Sequence, residues 1–334
     1  MAKSDTVTIR DVARMAGVAV STASRALGNG SASEATRRKV LDAARQLNFV
    51  PNAAARSLPG GQSNTVAIVI DEPADTLFED EFIVTLLGRV SVALASRELL
   101  PFLVLASPED TEGFTRLLNA SGADGVIVAS MHEGHAIGQV LREFGRPMVF
   151  IGNPPAGMGR HYVDVDNREG GYQAGRCLVE RGCRRIAVIE GPKDMTTPRE
   201  RTEGFKAALR AEGLEPVMSV SGPYTMASGE KGMRKLLAAV PDLDGVFAHS
   251  DKIASGAMRV LLENRRAIPD DVAVVGFDDL QVAAMLTPPL TTVAQPLEAV
   301  AENAAELLKD YLDTGVWKFS SIRLPAPLVR RQSA

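Results

Sequence analysis

The stretch DVARMAGVAVSTASRALGNG, residues 11–30, predicts two short helices separated by a tight turn. Apolar side chains recur three or four residues apart on each side of Gly17, which is the spacing of one buried helix face. Gly17 can adopt the left-handed backbone conformation that commonly ends a helix. A helix, a glycine turn and a second short helix together form a helix-turn-helix. The apolar positions behind this interpretation are Val12, Ala13, Ala16, Val18, Ala23, Ala26 and Leu27.

The flanking residues extend this motif to three helices. Thr8 is expected to cap the first helix with Asp11 three positions later, a variant of the capping box. This helix should end near Ala16, and the second should run from about Val20 to Leu27. A third helix is expected to begin near residues 33–34, with apolar residues along one face.

The start of the second helix carries Val20, Ser21 and Thr22. In a helix-turn-helix, the second helix enters the major groove of DNA with its N-terminal residues at base edges. Hydroxyl groups can donate or accept hydrogen bonds there, and a valine can contact a thymine methyl group. Arg25, one turn later, can reach a phosphate or a guanine. Spacing alone leaves open a purely structural three-helix bundle with solvated hydroxyls.

The charge of the chain is unevenly distributed. Residues 1–60 contain nine Lys or Arg and four Asp or Glu, a net charge of +5. The whole chain carries −4, so residues 61–334 carry −9. A basic head on an acidic body indicates that the head binds a polyanion.

Length and composition indicate a globular chain of more than one domain. The 334 residues exceed one ordinary core, and 45% apolar with 23% charged residues is typical of globular proteins. No apolar run reaches the roughly 18 to 20 residues of a membrane span, and the N-terminus lacks the apolar segment of a signal peptide. We therefore expect a cytoplasmic protein without membrane association, in which Cys177 and Cys183 are reduced thiols.

Two longer segments, TIRDVARMAGVAVSTASRAL and SEATRRKVLDAARQLNFVPNAAARSL, resemble the headpiece of the LacI/GalR family of bacterial transcription regulators. The resemblance implies that Val20–Leu27 is the recognition helix and that residues 52–58 form a hinge helix that orders on DNA. Two hinge helices of a dimer would lie in the minor groove, with Leu58 as the wedge between central base steps. The chain departs from the family pattern at Ala19, where a serine usually caps the second helix, and at Pro59. The DNA-binding residues implied in this way are Thr8, Val20, Ser21, Thr22, Ser24, Arg25, Asn52, Ala55 and Leu58.

From residue 66 on, short apolar segments such as VAIVI, VIVA, MVFI, IAVI and VAVV alternate with amphipathic stretches. Short buried strands alternating with helices predict parallel sheets covered on both faces. The number of units predicts two lobes. In such sheets, ligands bind beyond the carboxyl ends of the strands, although a polar residue there is more simply a helix cap or a turn residue. The polar residues at these positions are Asp71, Glu72, Asn153, Asp164, Asp166, Ser250, Asp251, Asp278 and Asp279.

The motifs VDVDNREGGYQAG, PRERTEGFKAAL, VAVVGFDD and PPLTTVAQP are similar to motifs of the same family in order and spacing. They imply two lobes joined by three crossovers, near Val163, Leu290 and Ile322. The expected fold class is therefore α/β, with an N-terminal helix-turn-helix headpiece and a two-lobed periplasmic-binding-protein-like core of parallel sheets. The expected domains are the headpiece at residues 1–51, the hinge helix and linker at 52–62, and the effector-binding and dimerisation core at 63–334.

The resemblance also implies an effector site between the lobes. Arg201 would be the cleft arginine, Asp278 the cleft carboxylate, and Tyr224 the aromatic residue that stacks on the ligand ring. Asp251 lies in a family motif in which Ser250 replaces the usual asparagine. The residues expected to line the cleft are Phe78, Asp80, Phe82, Arg201, Tyr224, Asp251 and Asp278.

These expectations describe a ligand-responsive transcription regulator, a repressor of carbohydrate-use genes that binds double-stranded palindromic operator DNA as a homodimer. An arginine, carboxylates and an aromatic ring suit a sugar or sugar derivative. A purine requires the same groups and stays open as the alternative. A solute-binding protein would need a signal peptide and no basic head, so that class is not expected.

Enzyme chemistry has little support in the sequence. The chain contains neither a G-x-S-x-G motif nor a Walker P-loop. The segment MHEGH places His132 and His135 at a spacing that differs from the zinc motif H-E-x-x-H, and a surface loop is the simpler interpretation. We therefore expect no catalysis, no cofactor and no metal ion.

Overall fold

The computed structural model describes residues 7–28, 31–49, 63–73, 77–105 and 110–334. The chain forms two compact units, residues 1–63 and 64–334. The expected hinge residues Asn52, Ala55 and Leu58 lie outside the described residues. No helix in the part of the chain that is described combines the length and the apolar character needed to cross a membrane.

The first unit contains α1 (Ile9–Ala16), α2 (Val20–Leu27) and α3 (Glu34–Gln46). Thr8 and Asp11 form the expected capping box, and Gly17 ends α1 in the left-handed conformation, with φ +66°. The three helices enclose a small core of alanine and valine side chains. Its buried residues are Val12, Ala13, Ala23, Ala26, Val40, Ala43 and Ala44.

The second unit begins with a parallel sheet in the strand order β11-β5-β4-β3-β1-β2. Every residue of its inner strand β1 is buried, as expected for a strand covered by helices on both faces. The strands are β1 (Thr65–Ile70), β2 (Leu100–Leu105), β3 (Gly125–Ala129), β4 (Met148–Ile151), β5 (Tyr162–Val165) and β11 (Ser321–Leu324). The helices of this lobe are α4 (Glu81–Ala95), α5 (Thr111–Ala120), α6 (Ile137–Phe144) and α12 (Leu297–Thr314).

The second lobe has the strand order β12-β10-β9-β8-β6-β7. Among its described strands, only β12 pairs antiparallel to its neighbour, which is β10. Its strands are β6 (Ile186–Glu190), β7 (Ser219–Ser221), β8 (Gly245–Ala248), β9 (Ala273–Asp278), β10 (Thr291–Ala294) and β12 (Leu328–Val329). Its helices are α7 (Asn167–Arg181), α8 (Thr196–Ala211), α9 (Met226–Ala239), α10 (Asp251–Glu263) and α11 (Gln281–Met285).

Within the described residues, the chain passes between the lobes three times: from β5 to α7, from β10 to α12, and from β11 to β12. Val163 and Ile322, two expected crossover positions, lie within β5 and β11. Leu290, the third, directly precedes β10. Each position therefore marks the strand that leads into a crossover, and the crossover itself follows a few residues later.

Candidate functional site

A cavity of ≈ 330 Å³ lies between the two lobes of residues 64–334. It opens at the carboxyl ends of the parallel strands, where α/β proteins bind ligands. Its volume falls in the range of small-molecule sites. The polar and aromatic side chains of its wall include Glu72, Asp80, Phe82, His132, Asp164, Arg201, Tyr224, Lys252, Asp278 and Gln295.

Arg201 and Asp278 form the polar centre of this wall. Their side chains are 6% and 7% exposed, and Nη1 of Arg201 lies 3.8 Å from Oδ1 of Asp278. The guanidinium group lies 3.6 Å from the centre of the Phe277 ring, and its Nε donates to Oδ1 of Asn167 at 2.9 Å. At 3.8 Å the two charged groups do not satisfy each other's hydrogen-bonding capacity, so part of it is available to a ligand.

Two glycines allow α7 and α8 to pack closely enough to hold Arg201 in this position. A Cβ atom at Gly171 would lie 2.1 Å from the carbonyl oxygen of Arg201. A Cβ atom at Gly204 would lie 1.8 Å from the carbonyl oxygen of Arg168. Side chains at these positions would force the helices apart, because close-packed backbones cannot accommodate added atoms.

Asp278 has an uncommon backbone conformation and a raised pKa. Its φ is +114° and that of Asp279 is +57°, values that non-glycine residues rarely adopt and that occur preferentially at functional sites. Burial raises the pKa of Asp278 to about 7, against the opposing effects of Arg201 and of the hydrogen bond from Gln295. That bond runs from Nε2 of Gln295 to Oδ1 at 2.7 Å. Near neutral pH the carboxyl group is therefore divided between its neutral and charged forms.

Asp251 was expected in the cleft, but it lies behind the cavity wall. Its Oδ1 accepts from Oγ1 of Thr292 at 2.6 Å, and its Oδ2 accepts from the Leu280 amide at 2.8 Å. Burial, together with the neighbouring Asp278, raises the pKa of Asp251 well above its usual value. Asp251 thus ties α10 to β10 and to the chain that follows β9, and supports Asp278 from behind.

Asp80 lines the cavity as expected, but Phe78 does not. Phe78 is 70% exposed and is absent from the cavity wall, whereas Phe82, which was also expected there, lines it. Asp80 caps α4, because its Oδ1 accepts from the Phe82 amide at 2.9 Å. Its Oδ2 lies 3.6 Å from Nζ of Lys252, which belongs to the other lobe. Lys252 also donates to the carbonyl oxygen of Glu79 at 2.9 Å, so these contacts join the lobes beside the cavity.

Tyr224 lies at the cavity wall as expected, with its ring against Gly191. A Cβ atom at Gly191 would lie 2.5 Å from the ring, so only glycine leaves room for this ring position. Burial raises the pKa of Tyr224 to about 12. Within the described part of the chain, its hydroxyl makes no hydrogen bond of normal geometry.

The segment MHEGH is a loop with Glu133 and Gly134 exposed, but His132 does not lie at the surface as predicted, because it is 9% exposed and lines the cavity. Nδ1 of His132 lies 2.9 Å from Oδ2 of Asp194, and its Nε2 lies 3.3 Å from Oε1 of Glu72. Nδ1 of His135 lies 2.9 Å from Oδ1 of Asp71. Burial opposes protonation of His132, but Glu72 and Asp194 outweigh it and raise its pKa to about 9.

Other wall residues were missed by the sequence analysis or predicted only as polar residues after strands. Lys252 and Gln295 were not predicted as wall residues, although Lys252 directly follows Asp251 and Gln295 lies within the motif PPLTTVAQP. Asp164 lies within β5, and burial raises its pKa to about 6. Its Oδ2 accepts from the Asn153 amide at 2.8 Å.

In the first unit, the expected DNA-contacting residues of α2 form an outward face. Val20 is 43% exposed, Ser21, Ser24 and Arg25 are exposed, and Thr22 is half-buried. The opposite face, with Ala23, packs into the core. Thr8 is exposed and occupies the cap position of α1, where its backbone amide and its hydroxyl both donate to Oδ2 of Asp11, at 2.9 and 2.7 Å.

The two ends of α2 are stabilised differently. Ala19 at its N-terminus provides no side-chain cap. At the other end, Nη1 of Arg37 donates to the carbonyl oxygens of Ala26 and Gly28 at 2.8 Å each. The sequence of α2 does not predict this second contact, because Arg37 lies on the next helix, α3.

A helix-turn-helix unit followed by a two-lobed core with a ligand cavity defines a ligand-responsive transcription regulator. Residues 8–52 match the description "Bacterial regulatory proteins, lacI family", and residues 176–334 match "Periplasmic binding protein-like domain". The HTH-type transcriptional regulator CelR of Thermobifida fusca is 41% identical over 312 residues, 91% of each chain. The ribose operon repressor of Escherichia coli K12 is 31% identical, over 98% of this chain and 99% of its own. The chain belongs to the LacI family of bacterial regulatory proteins.

Solved structures show the same architecture. A complex of the transcriptional regulator CelR with cellobiose matches with a TM-score of 0.78 and 38% identity, covering 98% of this chain and 100% of that one. A LacI family regulator from Enterococcus faecium with bound ribose matches with a TM-score of 0.69 and 27% identity, over 80% and 98% of the two chains. The lac repressor dimer bound to operator and the anti-inducer ONPF shares the fold, with a TM-score of 0.85 at 24% identity over 98% and 99% of the chains.

Proposed function

We propose that this regulator is a repressor that binds a palindromic operator as a homodimer and changes its operator affinity when a sugar occupies the cavity. The observation that carries the proposal is the buried pair of Arg201 and Asp278 at the cavity wall. Burying two charged groups is costly unless they are partnered, and a polyhydroxylated ligand offers donors and acceptors to both. Tyr224 and Phe82 supply aromatic surface for the apolar face of a sugar ring.

The structures of relatives with cellobiose and with ribose support a sugar over a purine as the effector. Because the CelR relative is 41% identical over 91% of the chain, cellobiose is the first sugar to test. We assign the direct contacts to Arg201, Asp278, Tyr224 and Asp80. The chain then acts by binding alone, in the cytoplasm where operator DNA is accessible, and catalyses no reaction.

Calorimetry with cellobiose, ribose and purines tests the effector site. We expect a sugar to bind the full chain and expect Arg201→Ala or Asp278→Ala to weaken that binding at least a hundredfold, about 2.7 kcal/mol. Arg199→Ala is the matched control, because Arg199 lies two residues from Arg201 but is 52% exposed and pairs with Glu133. Sugar binding that survives both cavity substitutions would contradict the site assignment, and binding of purines alone would contradict the sugar assignment.

For the operator, we assign base contacts to Val20, Ser21, Thr22 and Ser24, and a phosphate or guanine contact to Arg25. The hinge residues Asn52, Ala55 and Leu58 are assigned to the minor groove on the basis of the family resemblance. Thr8 would contact a phosphate in addition to capping α1.

Operator binding can be tested by footprinting and by fluorescence anisotropy. Affinity should fall steeply with salt, because each phosphate contact releases counterions. Arg25→Ala should weaken binding, whereas Arg234→Ala, on the core, should not. Equal binding by a chain that lacks residues 1–62 would contradict the proposal.

A further inference from the structure

We propose that His132, His135 and Asp194 form a binding site for a divalent transition metal ion such as Zn²⁺ at the edge of the cavity. Among the described residues, one ligand atom from each of these three side chains lies within 4.8 Å of the other two. The two imidazole rings are stacked, with centroids 4.8 Å apart and an interplanar angle of 14°.

The spacing suits metal coordination. Zinc binds imidazole nitrogen and carboxylate oxygen at about 2.0 to 2.2 Å, so neighbouring ligand atoms in a tetrahedral site lie roughly 3.4 Å apart. Nδ1 of His132 and Oδ2 of Asp194 are 2.9 Å apart. The side chains of His135 and Asp194 are 32% and 46% exposed, so both can reorient around an ion.

The surroundings of the histidines provide a second, independent observation. Metal-binding histidines nearly always donate their other ring N–H to a carboxylate, a carbonyl or water, which fixes the ring orientation. Here Nδ1 of His135 is 2.9 Å from Oδ1 of Asp71, and Nε2 of His132 is 3.3 Å from Oε1 of Glu72. The Asp71 side chain is fully buried, and its Oδ2 also accepts from the His132 amide at 2.9 Å. Asp71 and Glu72 therefore act as positioning residues that hold the rings.

Two imidazoles and one carboxylate are the donor set of iron, zinc, nickel and cobalt sites that keep coordination positions open. His132 and Glu72 line the cavity, so the metal would lie at its wall. Magnesium and calcium prefer oxygen ligands and are not expected here.

The three ligands come from both lobes. His132 and His135 follow β3 in the first lobe, whereas Asp194 lies between β6 and α8 in the second. The lobes also meet here through the Glu133 amide, which donates to the carbonyl oxygen of Asp194 at 2.7 Å. A metal ion held by all three side chains would stabilise the lobe arrangement in which they meet. By linkage, the operator affinity of the chain would shift toward the affinity of that arrangement. This regulatory consequence rests on the proposed function, whereas the metal site does not.

Titration of the untagged full chain with Zn²⁺ alone, by calorimetry, tests the site without sugar or operator. We expect one saturable Zn²⁺ per chain, and expect His135→Ala and Asp194→Ala each to weaken its binding at least tenfold. Glu133→Gln is the matched control, because Glu133 lies between the two histidines and pairs with Arg199 outside the cluster. It should bind Zn²⁺ like the wild type.

Titration with Co²⁺ gives a spectroscopic readout of the same site. We expect visible d–d absorption bands with the wild type and with Glu133→Gln, and not with His135→Ala. Asp71→Asn should weaken Zn²⁺ binding by about 10- to 100-fold if Asp71 positions a ligand. The unfolding midpoint of each metal-free variant establishes that it is folded.

Absence of saturable Zn²⁺ binding, or binding that is retained in both ligand variants, would overturn the metal site. Operator affinity that does not change with saturating Zn²⁺ would overturn its regulatory role. Failure of the chain to bind any sugar or operator would count against the proposed function and would leave the Zn²⁺ titration as a separate result.

Discussion

At the scale of single residues, the pKa of Asp278 links the cavity to stability. In the folded chain this pKa is about 7, against an ordinary value of 3.8 for an aspartate side chain. Between these pH values, the folded state holds a proton that the unfolded chain has released. The contribution of Asp278 to the free energy of unfolding therefore decreases as the pH rises from about 4 to 7, because over that range the folded state binds more protons than the unfolded chain.

We predict that Asp278→Asn removes this contribution. Relative to the wild type, the variant should gain stability between pH 4 and pH 8, by an amount on the order of 4 kcal/mol at most. Urea denaturation of both proteins at several pH values measures the difference. A difference in unfolding free energy that is the same at every pH would contradict the raised pKa.

Gly191 offers a second prediction at this scale. An added Cβ atom would lie 2.5 Å from the Tyr224 ring, so Gly191→Ala should displace the ring and weaken effector binding about tenfold or more. Calorimetry measures the loss. Gly88→Ala is the matched control, because a Cβ atom there meets nothing within 4 Å. In α4, that alanine should stabilise the chain by roughly 0.5 to 1 kcal/mol and leave effector affinity unchanged.

The residues of the cavity could be predicted from sequence where a strand end determined their direction. Asp278, the last residue of β9, belongs to this group, whereas Arg201 lies in α8 and was predicted from the family resemblance. Asp251 also follows a strand, but it turns back into the core, because Thr292 and Leu280 supply the partners of its carboxylate. His132 was misjudged because its partners Glu72 and Asp194 are distant in sequence and meet it only in the folded chain.

At the scale of elements, α2 has the expected length although its N-terminal cap is missing. Ala19 has φ −67° and ψ 150°, the extended conformation of a helix cap, but no side-chain oxygen. Ala19→Ser should satisfy an amide of the first turn and stabilise α2 by about 1 kcal/mol. Hydrogen exchange of the α2 amides in the full chain measures the change. Ser33→Ala, which removes the cap of α3 at Thr36, should have the opposite effect on α3.

The inner strands β1, β3, β4, β6 and β9 were predicted because four or more consecutive apolar residues identify them, whereas the inner strands β5 and β10 lack such a run. The edge strands β7, β11 and β12 were not predicted as strands. They contain exposed or half-buried residues and are two to four residues long. Their pairing depends on strands far away in sequence, as in the parallel pairing of β11 with β5. A local sequence pattern cannot predict such a partner.

At the scale of the core, three crossovers and the contacts beside the cavity hold the two lobes together. Lys252 is central to these contacts, because it reaches from α10 to Glu79 and Asp80 of the other lobe. The Asp80 side chain is 8% exposed, so loss of the cation would leave a nearly buried carboxylate without its partner across the cleft.

We predict that Lys252→Met, which keeps a side chain of similar length without the charge, shifts the population toward lobe arrangements that are more open. Small-angle scattering of the ligand-free chain should then show a larger radius of gyration. Effector affinity should fall roughly tenfold, about 1.4 kcal/mol, because the ligand must pay for closure that the wild type already has. Lys235→Met, at an exposed position of α9, serves as the control and should change neither quantity. A Lys252→Met chain with wild-type dimensions and wild-type effector affinity would show that closure depends on the crossovers and the other interlobe contacts instead.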